Sequence, residues 1–421
     1  MKKILFLLAV IFSALNLQAQ QTDKSIISFD SKRNSDLNTL VDMIGDKRIV
    51  AIGEDTHGTK EYYELRTALT KKLITEKGFN VFILENPYED MVSLQEDLYK
   101  QPLDTLISRH LFSIYQTKEM KNFLIWLKGY NRNHKIKLAG SDDSYREILP
   151  VMLKKELGRY NDKNLDVLAQ DFEDRQLSDV EEYYTLPNVP KPDSLPDDIH
   201  FGYDTYKLLS KIDSLYRLKK AKSEKVEELI YEARSNYDIY WGFMNKKFLS
   251  RDEAMGNRVN YFARQKDAKI IIWANNAHIA KSSLDGEIGK MGETVAKNNL
   301  NQYVSIGLMT GSGTYSYINS PFINDDHNFS DTLFQAKLLP LRKGSWHEYL
   351  NNPKTFTYLL DFSKLNKHEL NLYSIEKPFR AIGYKKENPD KTIFNTRLNN
   401  LFDIIVFYKN TTNTTPLFYS K

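Results

Sequence analysis

Short, unbroken apolar runs recur along this chain, and most of them end at a glycine or a polar residue. They are Ile49–Ile52, Val81–Leu84, Ile136–Ala139, Ile270–Ala274, Tyr303–Leu308, Phe356–Leu360, Arg380–Tyr384 and Asp403–Tyr408. A run with no polar alternation reads as a strand covered on both faces, the habit of parallel sheets. Helical patterns between the first four runs predict crossover units. One such pattern opens at Gly58 and Thr59, carries Tyr62, Leu65, Leu69 and Leu73 at helical spacing, and closes at Gly78, where a glycine ends a helix cheaply. From about Leu149 to Arg264 the pattern is helical almost throughout, broken by the proline-rich Leu186–Pro196, with Leu208, Leu209, Ile212, Leu215 and Tyr216 set among charges of mixed sign. The expected fold is α/β: a mainly parallel sheet flanked by helices, with a large helical insertion over its active edge. That insertion reads equally as a lid or as a passive stabilising bundle. The expected segments are a leader at 1–19, a first α/β part at 20–148, the insertion at 149–264 and a second α/β part at 265–421.

The leader changes the picture most. Lys2 and Lys3 precede an apolar stretch from Ile4 to Phe12, and Ala19 precedes a polar segment, the pattern of a cleavable secretory signal. Ser13 and Asn16 interrupt the stretch, leaving it short of the roughly 20 residues of a membrane span. The mature protein is therefore expected to be periplasmic or secreted, with no stable membrane insertion after cleavage. There is no cysteine, which removes disulfides, thiolate ligands and lipid modification at the N-terminus. Without the leader, 57 basic residues face 55 acidic ones, a balance that predicts no nucleic-acid partner.

The chemistry must be built without the usual nucleophile motifs, since no G-x-S-x-G, H-E-x-x-H, Walker loop or G-x-G-x-x-G occurs. Ligands in such sheets bind at the carboxyl ends of strands. Glu54, Asp55, Thr56 and His57 follow the first run, Glu85 ends the second, and Asn275, Asn276 and His278 follow the fourth. Histidines with carboxylates suit a general base acting on water, with a carboxylate orienting the second ring nitrogen. Glu54 and Glu85 are the candidates for that carboxylate, and either His57 or His278 can serve as base or proton donor. Arg66, about two turns into the first helix, is a candidate to hold a substrate carboxylate or an oxyanion, or a salt-bridge partner only. Gly140, Ser141, Asp142 and Asp143 follow the third run and form a weaker member of the set, Asp142 reading as a turn cap. His110 and Tyr115 read as core; His347 lines a pocket or starts a helix. His134, His200, His327 and His368 read as solvated.

GEDTHG at Gly53–Gly58 with Arg66 in the next helix, GFNVFILE at Gly78–Glu85, WLKGYN with LAGSDD, RDEAMGNRV at Arg251–Val259, WANNAHIAK, KMGETVA and a late GSWHE together resemble the erythromycin esterase family, in order and spacing from Ile49 to Glu348. The resemblance implies a hydrolase without metal or cofactor in which His57 activates water, and Glu54, Glu85, Arg66 and His278 are carried over with it. It further implies a small-molecule ester substrate, a macrolide lactone whose opening confers resistance. The alternatives are another carboxylic ester, reached by an exported enzyme, and a metal-dependent hydrolase using His57, His278, Glu54 and Glu85 as ligands.

Overall fold

A computed structural model of the chain describes residues 26–142, 147–185, 202–240, 249–284, 290–319, 332–351 and 355–418. The leader at 1–19, the Leu186–Pro196 interruption, Asp143, His200 and His327 lie outside the described residues. Among these residues the strands are β1 Ile26–Ser28, β2 Ile49–Ile52, β3 Val81–Pro87, β4 Lys137–Asp142, β5 Ile270–Trp273, β6 Tyr303–Tyr317, β7 Phe334–Lys337, β8 Thr357–Asp361, β9 Lys377–Arg380, β10 Ile393–Thr396 and β11 Ile404–Thr411. The main sheet runs β1-β8-β11-β6-β2-β5-β3-β4, with β7 added to β6, while β9 and β10 pair separately. From β4 across to β11 every pair is parallel; the β11–β8, β8–β1 and β6–β7 pairs are antiparallel. The fold is thus α/β with a mainly parallel sheet, as the apolar runs predict.

The order of strands places the site. β2 and β3 are consecutive in the parallel part of the chain, yet β5 lies between them, paired to both. The segments that follow β2 and β5 and the end of β3 therefore emerge side by side, at a topological switch point where α/β sheets bind ligands.

Side chains of the parallel strands alternate between two cores, as the pleat requires. Ile49, Ala51, Val81, Ile83, Ile270 and Ile272 pack on one face, with helices Ile148–Gly158, Tyr203–Arg217, Glu224–Tyr240 and Arg251–Ala263. Val50, Ile52, Phe82, Leu84, Ile271 and Trp273 pack on the other, against helices Asn34–Ile44, Lys60–Lys77 and Lys118–Tyr130. The helix Lys60–Lys77 buries Tyr62, Leu65, Leu69 and Leu73 and ends at Gly78, which takes a left-handed φ of 71°. The helices of the 149–264 segment thus share the core of one sheet face, and Arg251–Ala263 brings side chains to the strand ends.

Two boundaries differ from the pattern. β3 does not stop at Glu85 but continues to Pro87, with an irregular register between Leu84 and Pro87. The Arg380–Tyr384 run is not one strand. β9 ends at Arg380, and the residues after it bond to the turn beyond β2, Ile382 N–H to the Asp55 carbonyl and His57 N–H to the Gly383 carbonyl. Among the described residues no helix is long and apolar enough to cross a membrane.

Candidate active site

The turn Gly53–Gly58 is held by its backbone on every side. Asn276 N–H donates to the Glu54 carbonyl at 2.7 Å, and Ser316 and Thr414 N–H both donate to the Gly58 carbonyl. The two glycines are required by crowding: a Cβ on Gly53 would lie 2.0 Å from Asn276 Oδ1, and one on Gly58 2.1 Å from the Ser316 carbonyl oxygen. Glu54, Asp55, Thr56 and His57 are all buried. A turn so fixed presents its side chains without freedom to relax, which is what a preorganised site requires.

Glu54 and His57 form the first half of the site. His57 Nδ1 lies 2.7 Å from Glu54 Oε1, and Glu54 Oε2 lies 2.7 Å from Arg66 Nη1. A carboxylate paired to a guanidinium accepts only, so Nδ1 carries the proton and Nε2 presents its lone pair. Arg66 is fully buried over the Trp273 ring and donates to the Ile52 and Ala274 carbonyls. With its guanidinium directed at Glu54 and two carbonyls, it does not have the geometry expected of a group that grips a substrate carboxylate or an oxyanion. Tyr115, read from sequence as core, is buried but stands edge-on to His57, its hydroxyl 3.3 Å from Nδ1. The sequence signal for it was faint, an aromatic in a short helical segment far from any strand end.

Glu85 links this half to the second. His57 Nε2 is 3.6 Å from Glu85 Oε1, and His278 Nε2 is 3.2 Å from the same oxygen. The other oxygen accepts from Asn275 N–H at 2.7 Å. Burial alone would raise the Glu85 carboxyl, but the positive charges facing it, His278 first and Arg251 after it, hold the group well below the usual carboxylate range. His278 is placed by a four-residue helix, Asn276–Ile279, whose N-cap Asn275 accepts from Ala277 N–H. Its Nδ1 lies 3.0 Å from Asp252 Oδ1. Burial disfavours its charged form, yet Asp252 and Glu85 together push it up to about 10.

Asp142 ends β4, and the turn after it, which the sequence has it capping, lies outside the described residues. Its carboxylate receives Arg251 Nε and Nη2 in a two-pronged bridge at 2.8 and 2.6 Å, and Arg251 Nη2 also stands 4.0 Å from Glu85. His110 is core, paired with buried Asp90 at 2.8 Å. His347 both starts a helix capped by Ser345 and lies buried, 3.3 Å from Asp55. Burial and the Arg380 guanidinium lower it to about 4 against the pull of Asp55. His134 and His368 are exposed, as expected. Among the described residues no three histidine or carboxylate side chains are grouped so as to hold a metal ion. Asp252 was missed from sequence as a site residue; in a helix's first turn an acid is ordinary.

The Erythromycin esterase family model matches residues 74–411, so the chain belongs to that family. Membership makes it an esterase-like hydrolase. The matched stretch begins after Glu54, His57 and Arg66, whose place in the site rests on the distances above. Among curated relatives, the chain is similar to an erythromycin esterase type II of Escherichia coli, 25% identical over 72% of this chain and 78% of the relative. A putative hydrolase of Bacillus subtilis strain 168, YbfO, is 23% identical over 66% of this chain and 68% of its own length. Among solved structures, a mutant of the erythromycin esterase EreC in its open conformation shares the fold with a TM-score of 0.65, at 18% identity over 94% of this chain and 99% of that one.

Proposed function

We propose that this protein is an exported ester hydrolase that cleaves a macrolide lactone by direct attack of water, without a covalent intermediate, and thereby confers macrolide resistance. The observation that supports it most is the convergence of two imidazole Nε2 atoms on one oxygen of Glu85, at 3.6 and 3.2 Å, each ring backed by its own carboxylate.

In this reading a water bridges the gap between His57 Nε2 and Glu85, donating one hydrogen to each. His57 Nε2 takes a proton as the water oxygen bonds to the acyl carbon, and Glu54, held by Arg66, steadies the imidazolium that forms. Collapse of the tetrahedral intermediate breaks the acyl C–O bond. The departing alkoxide takes a proton from His278, which its two carboxylates keep charged. The products are a carboxylic acid and an alcohol, joined in one opened chain when the substrate is a lactone. Preorganised charge of this kind in a buried site is worth far more than in water.

The macrolide rests on family membership and on the named activity of the Escherichia coli relative. The leader pattern Lys2–Ala19 favours a second reading, a secreted enzyme acting on another carboxylic ester outside the cytoplasm. Mass spectrometry of erythromycin incubated with the mature protein, beside a His57→Ala control, tests the first. A gain of one water by the wild type alone supports it. No change with folded wild type sinks the macrolide reading, and a panel of esters then decides the second. N-terminal sequencing of the protein recovered from the periplasm or medium tests export: a start after Ala19 supports it, and an intact Met1 in the cytoplasm overturns it.

A further inference from the structure

No side chain of the segment Arg251–Val259 exchanges a proton or forms a bond in the reaction drawn above, yet the segment reaches the ends of two strands. Ser250 and Glu253 form a reciprocal capping box at its start, so the first turn is rigid. Arg258 anchors the next turns, donating to Glu232, to Asn236 and to the Ser141 carbonyl. Between these anchors Arg251 grips Asp142 at the end of β4, and Asp252 meets His278 beyond the end of β5. Asp252 is 6% exposed, so its approach to the ring is made out of water, where a carboxylate and an imidazolium attract strongly.

We propose that Asp252 is the positioning residue for His278: it fixes the ring so that Nε2 points at Glu85 and the scissile ester, and it keeps the proton on that nitrogen. The inference rests on the reading of the site as a water-activating esterase. Among the described residues, the charged groups facing His278 are Glu85 from β3 and Asp252 from the helix. His57, from the turn after β2, and Arg251 face it across Glu85. Two carboxylates against one imidazole make it a standing cation, and a cation cannot take a proton from water. His57 is then the base and His278 the donor, an assignment that the sequence leaves open. Asp252 thus acts through His278, in the way a buried aspartate orients a catalytic histidine elsewhere.

The test is histidine-selective ¹⁵N NMR on the mature protein without substrate, the His278 signal assigned by its loss in His278→Gln. In wild type His278 should titrate near 10. In Asp252→Asn, which keeps the shape and removes the charge, it should titrate at least about one pH unit lower. The alkaline limb of kcat should move down by the same amount, with kcat itself reduced about tenfold or more, and Asp252→Glu should restore both in part. If Asp252→Asn fails to fold, Asp252→Ser removes the carboxylate with a smaller side chain and gives the same readout. A folded variant in which His278 titrates as in wild type overturns the proposal. Absence of ester turnover in wild type would sink the esterase reading alone, because the titration needs no substrate.

Discussion

Glu54 and Asp55 are neighbours in sequence, both are fully buried, and each is paired with a histidine, but they serve two different clusters. Glu54 turns toward His57, whose far nitrogen faces Glu85 and, across it, His278. Asp55 turns away, to Tyr62 Oη at 2.6 Å, Arg380 Nη2 at 3.2 Å and His347 Nε2 at 3.3 Å. The Asp55 cluster is closed, with three protein donors on one carboxylate and a histidine whose charge Arg380 discourages. The Glu85 cluster is open in the chemical sense, with two imidazoles aimed at one oxygen and excess negative charge behind them. A buried histidine beside a carboxylate is therefore not in itself a catalytic pair; the third and fourth charges decide what its proton can do.

The comparison is broken most easily at His57. His57→Ala should lower turnover by about 10² to 10⁴, the scale of a lost general base, with the melting temperature little changed. Retained activity in steady-state assays would remove His57 from the mechanism and the distinction between the clusters with it. Glu85→Gln should be nearly as damaging, because it removes the charge that both rings face while keeping the acceptor for Asn275 N–H. A Glu85→Gln rate equal to wild type would make this cluster as structural as the other.

Asp55→Asn should give the opposite profile. It takes from the buried Arg380 guanidinium the carboxylate in contact with it, and breaking a buried pair in this way costs about 3–5 kcal/mol. Turnover per folded molecule should change less than about tenfold, since Asp55 touches neither His57 nor Glu85 through its side chain. Denaturant unfolding and active-site-normalised kinetics together check this. A large loss of kcat in a stably folded variant would show that the Asp55 cluster acts on the reaction.

How much of this was legible in the sequence follows from what each residue needs. Glu54, His57, Glu85 and His278 could be found because an unbroken apolar run ends where the polar residue begins, and strand ends in parallel sheets share one edge. The insertion of β5 between β2 and β3 could not be read, since it is a pairing choice between runs of equal apolarity. Nor could the partners of Arg66: helical spacing turns it toward the sheet, but only the packed fold brings its guanidinium to Ile52, Ala274 and Glu54. Asp252 carries no local signal, because its contact with His278 joins it to a separate element, the short helix after β5. The Arg380–Tyr384 run misled for a local reason. Gly383 takes a positive φ of 73°, and the backbone there bonds to the turn after β2 in place of a sheet neighbour.

The smallest effect separates the clusters by pH alone. His347 is held near 4, below its unfolded value of about 6.5, so it resists a proton that the unfolded chain accepts. Its contribution is complete above about 6.5 and is lost as pH falls toward 4, at up to about 1.4 kcal/mol per pH unit. His278 is held near 10, above its unfolded value. Its contribution is complete below about 6.5 and is lost as pH rises through that value toward 10. Thermal melting from pH 5 to 9 should therefore show stability falling on both sides for different reasons. His347→Gln should flatten the acid side between 5 and 6.5, a window above the range where Glu85 and Asp55 protonate. His278→Gln should flatten the alkaline side and leave the acid side as it was. If either substitution flattened the wrong side, the charge assigned to that ring would be reversed, and His278 would be available as a base after all.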